Sequence, residues 1–128
     1  MTQKDIQAIK ELLSEKKNIV IVHHKNADGD AIGSSVALNS YLNLCGHRSN
    51  IISPNNFPEF LKWLDNKKEI MIFNNSKNQI NLIKISLLFA QIFVPRIQNL
   101  QLDSLHTLNF EKKIILNQLQ KGKLQCWN

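Results

Sequence analysis

One pattern of apolar residues changes to another within the stretch Val22-His23-His24-Lys25-Asn26-Ala27-Asp28-Gly29-Asp30-Ala31-Ile32-Gly33-Ser34-Ser35. The preceding residues, 18–23, are a short β-branched run that is apolar on both faces, which is typical of a buried parallel strand. From Asp30 onward the apolar residues recur at helical spacing until Gly46, a residue suited to ending a helix. The stretch therefore predicts a strand, a loop and a helix in succession, the first unit of an α/β domain.

The flanking sequence continues this alternation of strands and helices. Residues 2–16 have the apolar spacing of an amphipathic helix that packs on a sheet. Residues 49–53 and 69–73 are predicted as the second and third strands, and residues 57–64 as a short helix between them. This order predicts a parallel sheet with flanking helices and right-handed crossovers. The residues that we expect in one core are Ile19, Ile21, Val36, Leu42, Ile52 and Ile72.

The character of the sequence changes near residue 75. Three weaker elements follow: a helix over residues 77–83, a strand over 87–94 and a helix over 110–119. No Gly/Ser/Pro-rich linker and no internal repeat is visible. We therefore divide the chain into an N-terminal part, residues 1–75, and a divergent continuation, residues 76–128, which we expect to be less well ordered.

Length and composition restrict the class of protein. The chain has 128 residues, of which 43% are hydrophobic and 20% charged, enough for one ordinary core. No apolar run approaches the roughly 20 residues that cross a bilayer, and the first residues lack the apolar part of a secretory signal. We therefore expect a cytoplasmic protein with no membrane partner. The net charge of +6 reflects scarce acids after Glu69 more than a dense basic patch, so charge alone is weak evidence for a nucleic-acid surface.

The loop between the first strand and its helix contains the residues best suited to chemistry. His24, Asp28 and Asp30 follow the end of a strand, where open α/β sheets bind ligands. One imidazole and two carboxylates suit a divalent metal ion, and the imidazole favours Mn²⁺ over Mg²⁺. As catalytic groups, Asp28 and Asp30 could contact different ions of a pair about 4 Å apart that activates a bridging hydroxide. The more ordinary alternative is that Asp30 caps the helix and Asp28 forms an Asx-turn.

Neighbouring side chains have both functional and structural interpretations. Lys25 and Asn26 could orient a substrate phosphate or simply lie in a surface loop. Ser34 and Ser35, near the start of the helix, could bind phosphate or make local backbone hydrogen bonds. If the strand continues, His23 points away from the loop, so we expect a packed histidine and not a metal ligand.

Two aromatic residues, Phe60 and Trp63, belong to the predicted short helix. They are three positions apart and so share one helix face. Such a pair suits a platform for stacking nucleobases, but their helical spacing is more often that of core residues. We therefore expect both of them in the core.

The pattern His24-x3-Asp28-x-Asp30, followed by Ala31-Ile32-Gly33-Ser34-Ser35, resembles the first motif of the DHH phosphoesterases. The resemblance is closest to the branch of small oligoribonucleases that also remove phosphate from 3′-phosphoadenosine 5′-phosphate. It continues through residues 51–54 and 57–64 and so covers residues 1 to about 75. It implies a Rossmann-like domain, two Mn²⁺ ions and hydrolysis of phosphoester bonds in nucleotides and short oligonucleotides. On the matching positions, His24 and Asp28 would hold one ion and Asp30 the other.

The chain departs from this family in its later part. The family also has a later strand-end Asp, an Asp-His-His triplet and a further Asp. After Glu69 the chain has one Asp, Asp103, followed by Ser104-Leu105-His106 in place of the triplet. Because two carboxylates and one imidazole poorly neutralise two divalent ions, we expect at most one ion to be well held.

These observations predict an incomplete DHH domain whose sequence after residue 75 is truncated or comes from a shifted reading frame. Its partner would be a nucleotide or a short oligonucleotide. Two alternatives stay open at this point. One is a non-catalytic module that binds a nucleotide or RNA at the same loop, and the other is a marginally stable fragment without a function.

Overall fold

The chain folds around a four-stranded parallel sheet, seen in a computed structural model that describes residues 2–90, 116–117 and 119–121. Its elements in chain order are α1 (Gln3–Leu12), β1 (Asn18–Val22), α2 (Gly29–Leu44), β2 (Arg48–Ser53), the 3₁₀ helix η1 (Glu59–Asp65), β3 (Ile70–Ile72), α3 (Lys77–Ile85) and β4 (Leu87–Ala90). The strand order is β3-β2-β1-β4. The predicted class, an α/β domain with a parallel sheet and flanking helices, is confirmed.

The register of the strands brings their carboxyl ends to one edge of the sheet. Val22 of β1 pairs with Ile52 of β2 on one side and with Ala90 of β4 on the other. Ser53 of β2 pairs in turn with Ile72 of β3. All three pairings are parallel, so the loop that follows Val22 opens between the ends of two neighbouring strands.

The core lies on both faces of the sheet because successive side chains of a strand point in opposite directions. The cluster on one face joins β1 and β2 to α2 and consists of Ile19, Ile21, Leu42 and Ile51. The cluster on the other face joins the same strands to α3 and consists of Val20, Val22, Ile52, Ile83 and Leu119. Strand β1 is therefore apolar on both faces, as its sequence predicts.

The expectation of a single core is wrong in two respects. Ile52 lies on the opposite face of the sheet from Ile19 and Ile21, because it follows Ile51 by one position in β2. Ile72 is exposed, because it belongs to the three-residue strand β3 at one end of the described strand order.

Helix α1 is stabilised by hydrogen bonds at its N-terminus more than by packing. The side chain of Thr2 accepts a hydrogen bond from the backbone N–H of Asp5, and the Asp5 carboxylate accepts one from the backbone N–H of Thr2. This capping box lowers the pKa of Asp5 below its ordinary value. The helix has no buried residue, so the expected packing on the sheet is limited to partly buried residues near its end, such as Leu13.

The sheet continues past residue 75. Ser76 caps α3 by accepting a hydrogen bond from the N–H of Gln79, and β4 then pairs with β1. Residues 116, 117, 119 and 120 are helical, as expected for part of the predicted last helix. The rest of that helix, and the predicted strand beyond Ala90, lie outside the described residues. The boundary at residue 75 stays a prediction.

No helix in the described part of the chain combines the length and apolar character needed to cross a membrane.

We expect Ile21→Ala to lower the free energy of unfolding by about 2–5 kcal/mol, because it leaves a cavity in a fully buried strand. The matched control is Leu44→Ala, which removes a side chain that is 88% exposed and should change stability by less than about 0.5 kcal/mol. Urea unfolding followed by circular dichroism measures both. Equal unfolding midpoints for the two variants would contradict the central position of β1.

Candidate functional site

The loop from His23 to Asp28 connects the end of β1 to the start of α2. Asp28 is the N-cap of α2, since its Oδ1 accepts a hydrogen bond of 2.9 Å from the N–H of Ala31. Its backbone carbonyl accepts a second one, of 3.1 Å, from the N–H of Ile32. The ordinary alternative considered from the sequence therefore names the wrong residue, because Asp28 and not Asp30 caps the helix. A carboxylate at this position also interacts favourably with the helix dipole.

The His24 side chain is buried, and the backbone carbonyl of the next residue holds its ring in place. Its Nδ1 lies 2.7 Å from the carbonyl oxygen of Lys25, and a carbonyl can only accept, so Nδ1 carries the proton. In a neutral imidazole this leaves the lone pair on Nε2, which lies 3.7 Å from Oδ1 of Asp28. Metal-binding histidines are commonly oriented in this way, by a backbone carbonyl on the nitrogen that does not bind the metal.

Asp30 does not join these two groups. It is exposed in the first turn of α2, and its backbone carbonyl accepts a hydrogen bond from the hydroxyl of Ser34. Within residues 2–90 and the short described helical part near residue 119, no group of three or more His, Cys, Asp or Glu side chains could hold a metal ion. The structure thus brings together His24 and Asp28, and the assignment of all three as ligands stays a prediction.

Asn26 connects the loop by hydrogen bonds to the turn that follows β2. Its backbone N–H donates to Oδ1 of Asn55 at 2.9 Å, and Nδ2 of Asn55 donates to Oδ1 of Asn26 at 2.8 Å. Asn26 has a φ of 56°, in the left-handed region that asparagine tolerates better than most residues. Asn55 is not among the residues that the sequence predicts for the site, although Pro54-Asn55-Asn56 is a turn signal.

The two serines favour the structural alternative. The hydroxyl of Ser34 donates to a carbonyl one turn earlier, which is the local bonding common for serine in helices. Ser35 is fully buried. Their assignment to substrate binding, like that of Lys25, stays a prediction.

His23 is fully buried, as expected for a packed histidine. Its Nδ1 donates to the carbonyl oxygen of His24 at 3.1 Å, and Nε2 has no hydrogen-bond partner among the described residues. Burial lowers the pKa of His23 below its ordinary value of 6.5, and the hydrogen bond to His24 offsets this only in part. The ring is therefore neutral at pH 7 and adds no charge beside the loop.

The strand next to the loop offers no further acid. Strand β4 consists of Leu87-Leu88-Phe89-Ala90, and Gln91 follows it in the sequence. Ala90 pairs with Val22, so the end of β4 lies beside the end of β1. The residues of β4 are all uncharged.

Helix η1 has three distinct faces, because a 3₁₀ helix repeats every three residues. Leu61 and Leu64 pack inward, in or against a cluster with residues of the loop and α2. Phe60 and Trp63 lie on another face and are 74% and 71% exposed. The expectation that they belong to the core is wrong, since an α-helical spacing would have placed Trp63 and Leu64 on the same side as Phe60.

Comparisons with known proteins agree with this geometry. The chain matches the DHH family, N-terminal domain, over residues 18–113. A similar solved structure is that of an exopolyphosphatase-related protein from Bacteroides fragilis, with a TM-score of 0.65 and 29% identity. The likeness covers 89% of this chain and 32% of that protein, so this chain spans about a third of its length. A comparison with curated proteins found no match.

The family match also covers sequence that the first motif does not reach. The resemblance found by inspection ended near residue 75, whereas the match continues to residue 113. It includes α3 and β4, and β4 is the fourth strand of the described sheet. The parallel sheet, the His24 and Asp28 pair at its edge and the match over residues 18–113 together show that this chain belongs to the DHH family, within its N-terminal domain.

Proposed function

We propose that this chain carries the first metal-binding element of a DHH phosphoesterase and binds one Mn²⁺ ion through His24 and Asp28. The observation that carries this proposal is the separation of 3.7 Å between Nε2 of His24 and Oδ1 of Asp28. One ion with ligand distances of about 2.1 Å can contact two atoms at this separation. A mixed nitrogen and oxygen pair suits Mn²⁺ better than Mg²⁺.

The donors in the described residues fit one ion better than two. The lone pair of His24 is available because Nδ1 is held by a carbonyl. Oδ1 of Asp28 accepts the helix-cap hydrogen bond from Ala31, and a carboxylate oxygen has a further lone pair that can bind a metal ion. Asp30 does not form a three-residue group with this pair, and a second ion would bring two more positive charges without a further acid from β4.

The proposed substrates are short oligoribonucleotides or 3′-phosphoadenosine 5′-phosphate. Membership of the DHH family and the similarity to an exopolyphosphatase-related protein support phosphate chemistry at this edge of the sheet. The start of α2 carries the positive end of the helix dipole, which favours a phosphate group nearby. A metal ion bound here would supply polarisation of that phosphate and a more acidic water.

We further propose that hydrolysis by this chain alone is no faster than background. Paired metal sites generate the nucleophile and stabilise the leaving oxygen at the same time, and the described residues offer ligands for one ion. His24 and Asp28 would then position a metal and a phosphate without completing the catalytic arrangement.

A non-catalytic module that binds a nucleotide or short RNA is the competing candidate. Two observations favour it: Asp30 does not converge with the other two donors, and β4 ends in uncharged residues. In that case the same loop and helix start would bind phosphate without cleaving it.

For metal binding, we expect the wild-type chain to bind one Mn²⁺ ion weakly, as measured by electron paramagnetic resonance of free Mn²⁺. His24→Ala should abolish binding because it removes the imidazole donor, and Asp28→Asn should strongly weaken it because it removes the negative charge of the carboxylate. Glu11→Gln is the matched control, since it neutralises an exposed acid of α1 far from the loop in sequence, and it should bind as the wild type does. Unchanged binding by Asp28→Asn, or two ions per chain, would contradict the proposal.

The two roles of Asp28 can be separated by a second pair of variants. Asn is as good an N-cap as Asp, so Asp28→Asn should keep the stability of the fold, whereas Asp28→Ala should lose about 0.5–2 kcal/mol. Both variants should bind Mn²⁺ much more weakly. Thermal unfolding with a chelator present measures the cap alone, and equal destabilisation by Asn and Ala would show that the charge matters more than the cap.

For activity, we expect phosphate release from 3′-phosphoadenosine 5′-phosphate with Mn²⁺ to match a control without protein. Turnover on the order of 1 s⁻¹, a common enzyme rate, would have to disappear in Asp28→Asn and Asp30→Asn to be assigned to this site. That result would show a catalytically complete chain and overturn the single-ion proposal.

A further inference from the structure

The aromatic face of η1, formed by Phe60 and Trp63, is exposed and belongs to none of the apolar clusters of the described residues. Phe60 and Trp63 are 74% and 71% exposed, whereas Leu61 on the inward face is buried. Single exposed apolar residues are normal, but two large rings on one face of a short helix form a small aromatic patch that suits a ligand.

The spacing of the two rings fits nucleobases. A 3₁₀ helix rises about 2 Å per residue, so Phe60 and Trp63 are offset by about 6 Å along its axis. Bases along a strand are about 3.4 Å apart, and a base between two rings needs about twice that distance. The aromatic face therefore has the dimensions to contact one or two bases.

The helix that presents this face lies against the loop of the candidate site. Cδ2 of Leu61 is 3.8 Å from the position that a Cβ atom on Gly29 would occupy, and Leu61 belongs to the same cluster as Ala27 and Ala31. The hydrogen bonds between Asn26 and Asn55 fix the loop to the turn that leads into η1. A strand with one phosphate at the start of α2 would thus have a neighbouring base within reach of η1.

The charges around η1 are compatible with a nucleic-acid strand. Lys62 lies between the two aromatic residues in the sequence, pairs with Glu59 at 3.5 Å and lies 5.5 Å from the centre of the Phe57 ring. Lys67 and Lys68 follow the helix and are exposed. These lysines can attract phosphates, while aromatic rings provide a contact that does not depend on base identity.

The size of the patch argues against a protein partner. A stable protein interface buries about 800 Å² on each side, and here two rings are bordered in the sequence by Glu59, Lys62 and Asp65. We propose that Phe60 and Trp63 form a stacking site for the bases of a short single-stranded oligonucleotide whose phosphate lies at the adjacent loop. This inference rests on the proposed function for its choice of ligand.

The experiment uses the full chain in buffer with a chelator, so that metal binding plays no part. Fluorescence anisotropy measures the binding of a labelled five-residue adenylate RNA and of an abasic strand with the same number of phosphates. We expect the RNA to bind the wild type about tenfold more tightly than the abasic strand does. Phe60→Ala and Trp63→Ala should each weaken RNA binding toward that of the abasic strand, by up to about tenfold, and leave the abasic strand unaffected.

Two further variants serve as controls. Trp63→Phe keeps an aromatic ring and should retain most of the binding. Tyr41→Ala removes an aromatic side chain that is 62% exposed on α2 and should leave binding unchanged. In a Trp127→Phe background, which leaves Trp63 as the one tryptophan in the sequence, RNA should also quench the fluorescence.

Equal binding of RNA and the abasic strand, or no effect of Trp63→Ala, would overturn the stacking site. So would self-association of the wild type that Trp63→Ala abolishes while RNA binding persists, because the face would then be a contact between copies. If Mn²⁺ binding holds but the RNA result fails, the proposed metal site stands and the stacking site does not. If RNA stacking holds but Mn²⁺ binding fails, the stacking site stands and the proposed metal site does not.

Discussion

The arrangement of the site depends on the burial of β1 from Ile19 to Val22. This strand pairs with β2 on one side and β4 on the other, and its side chains pack into apolar clusters on both faces. A strand with four consecutive buried apolar residues can neither slip nor rotate without exposing apolar area to water. Its carboxyl end is therefore fixed, and with it the position at which His24 leaves the sheet.

From that end, short-range hydrogen bonds determine the rest of the site. The carbonyl of Lys25 orients the His24 ring, Asp28 starts α2, and the Asn26–Asn55 pair joins the loop to the turn after β2. The same carboxylate thus serves a structural and a proposed chemical role, and this explains why spacing alone could not separate a helix cap from a metal ligand. Both roles require an oxygen at the N-terminus of the helix, where the dipole favours negative charge.

The helix η1 shows how a small change in helical type alters which side chains are exposed. With an α-helical repeat, Phe60, Trp63 and Leu64 would share one face, and burying that face would place both aromatic rings in the core. With the 3₁₀ repeat, the two leucines face inward and both rings face solvent. Periodicity could not distinguish these cases, because seven residues contain too few turns for the two repeats to diverge clearly.

The sequence by itself determined the features that depend on neighbouring residues. The β-branched run of β1, the helix that follows the loop, the parallel α/β class and the clustering of chemistry-bearing residues after Val22 could all be predicted, because periodicity and chain adjacency are local properties. Only the tertiary structure decided the strand order, in which β4 pairs with a strand more than sixty positions earlier. It also decided that Asn55 holds the loop across 29 positions and that the aromatic rings face solvent. These outcomes depend on packing and hydrogen bonds between distant segments, and no local pattern of residues contains that information.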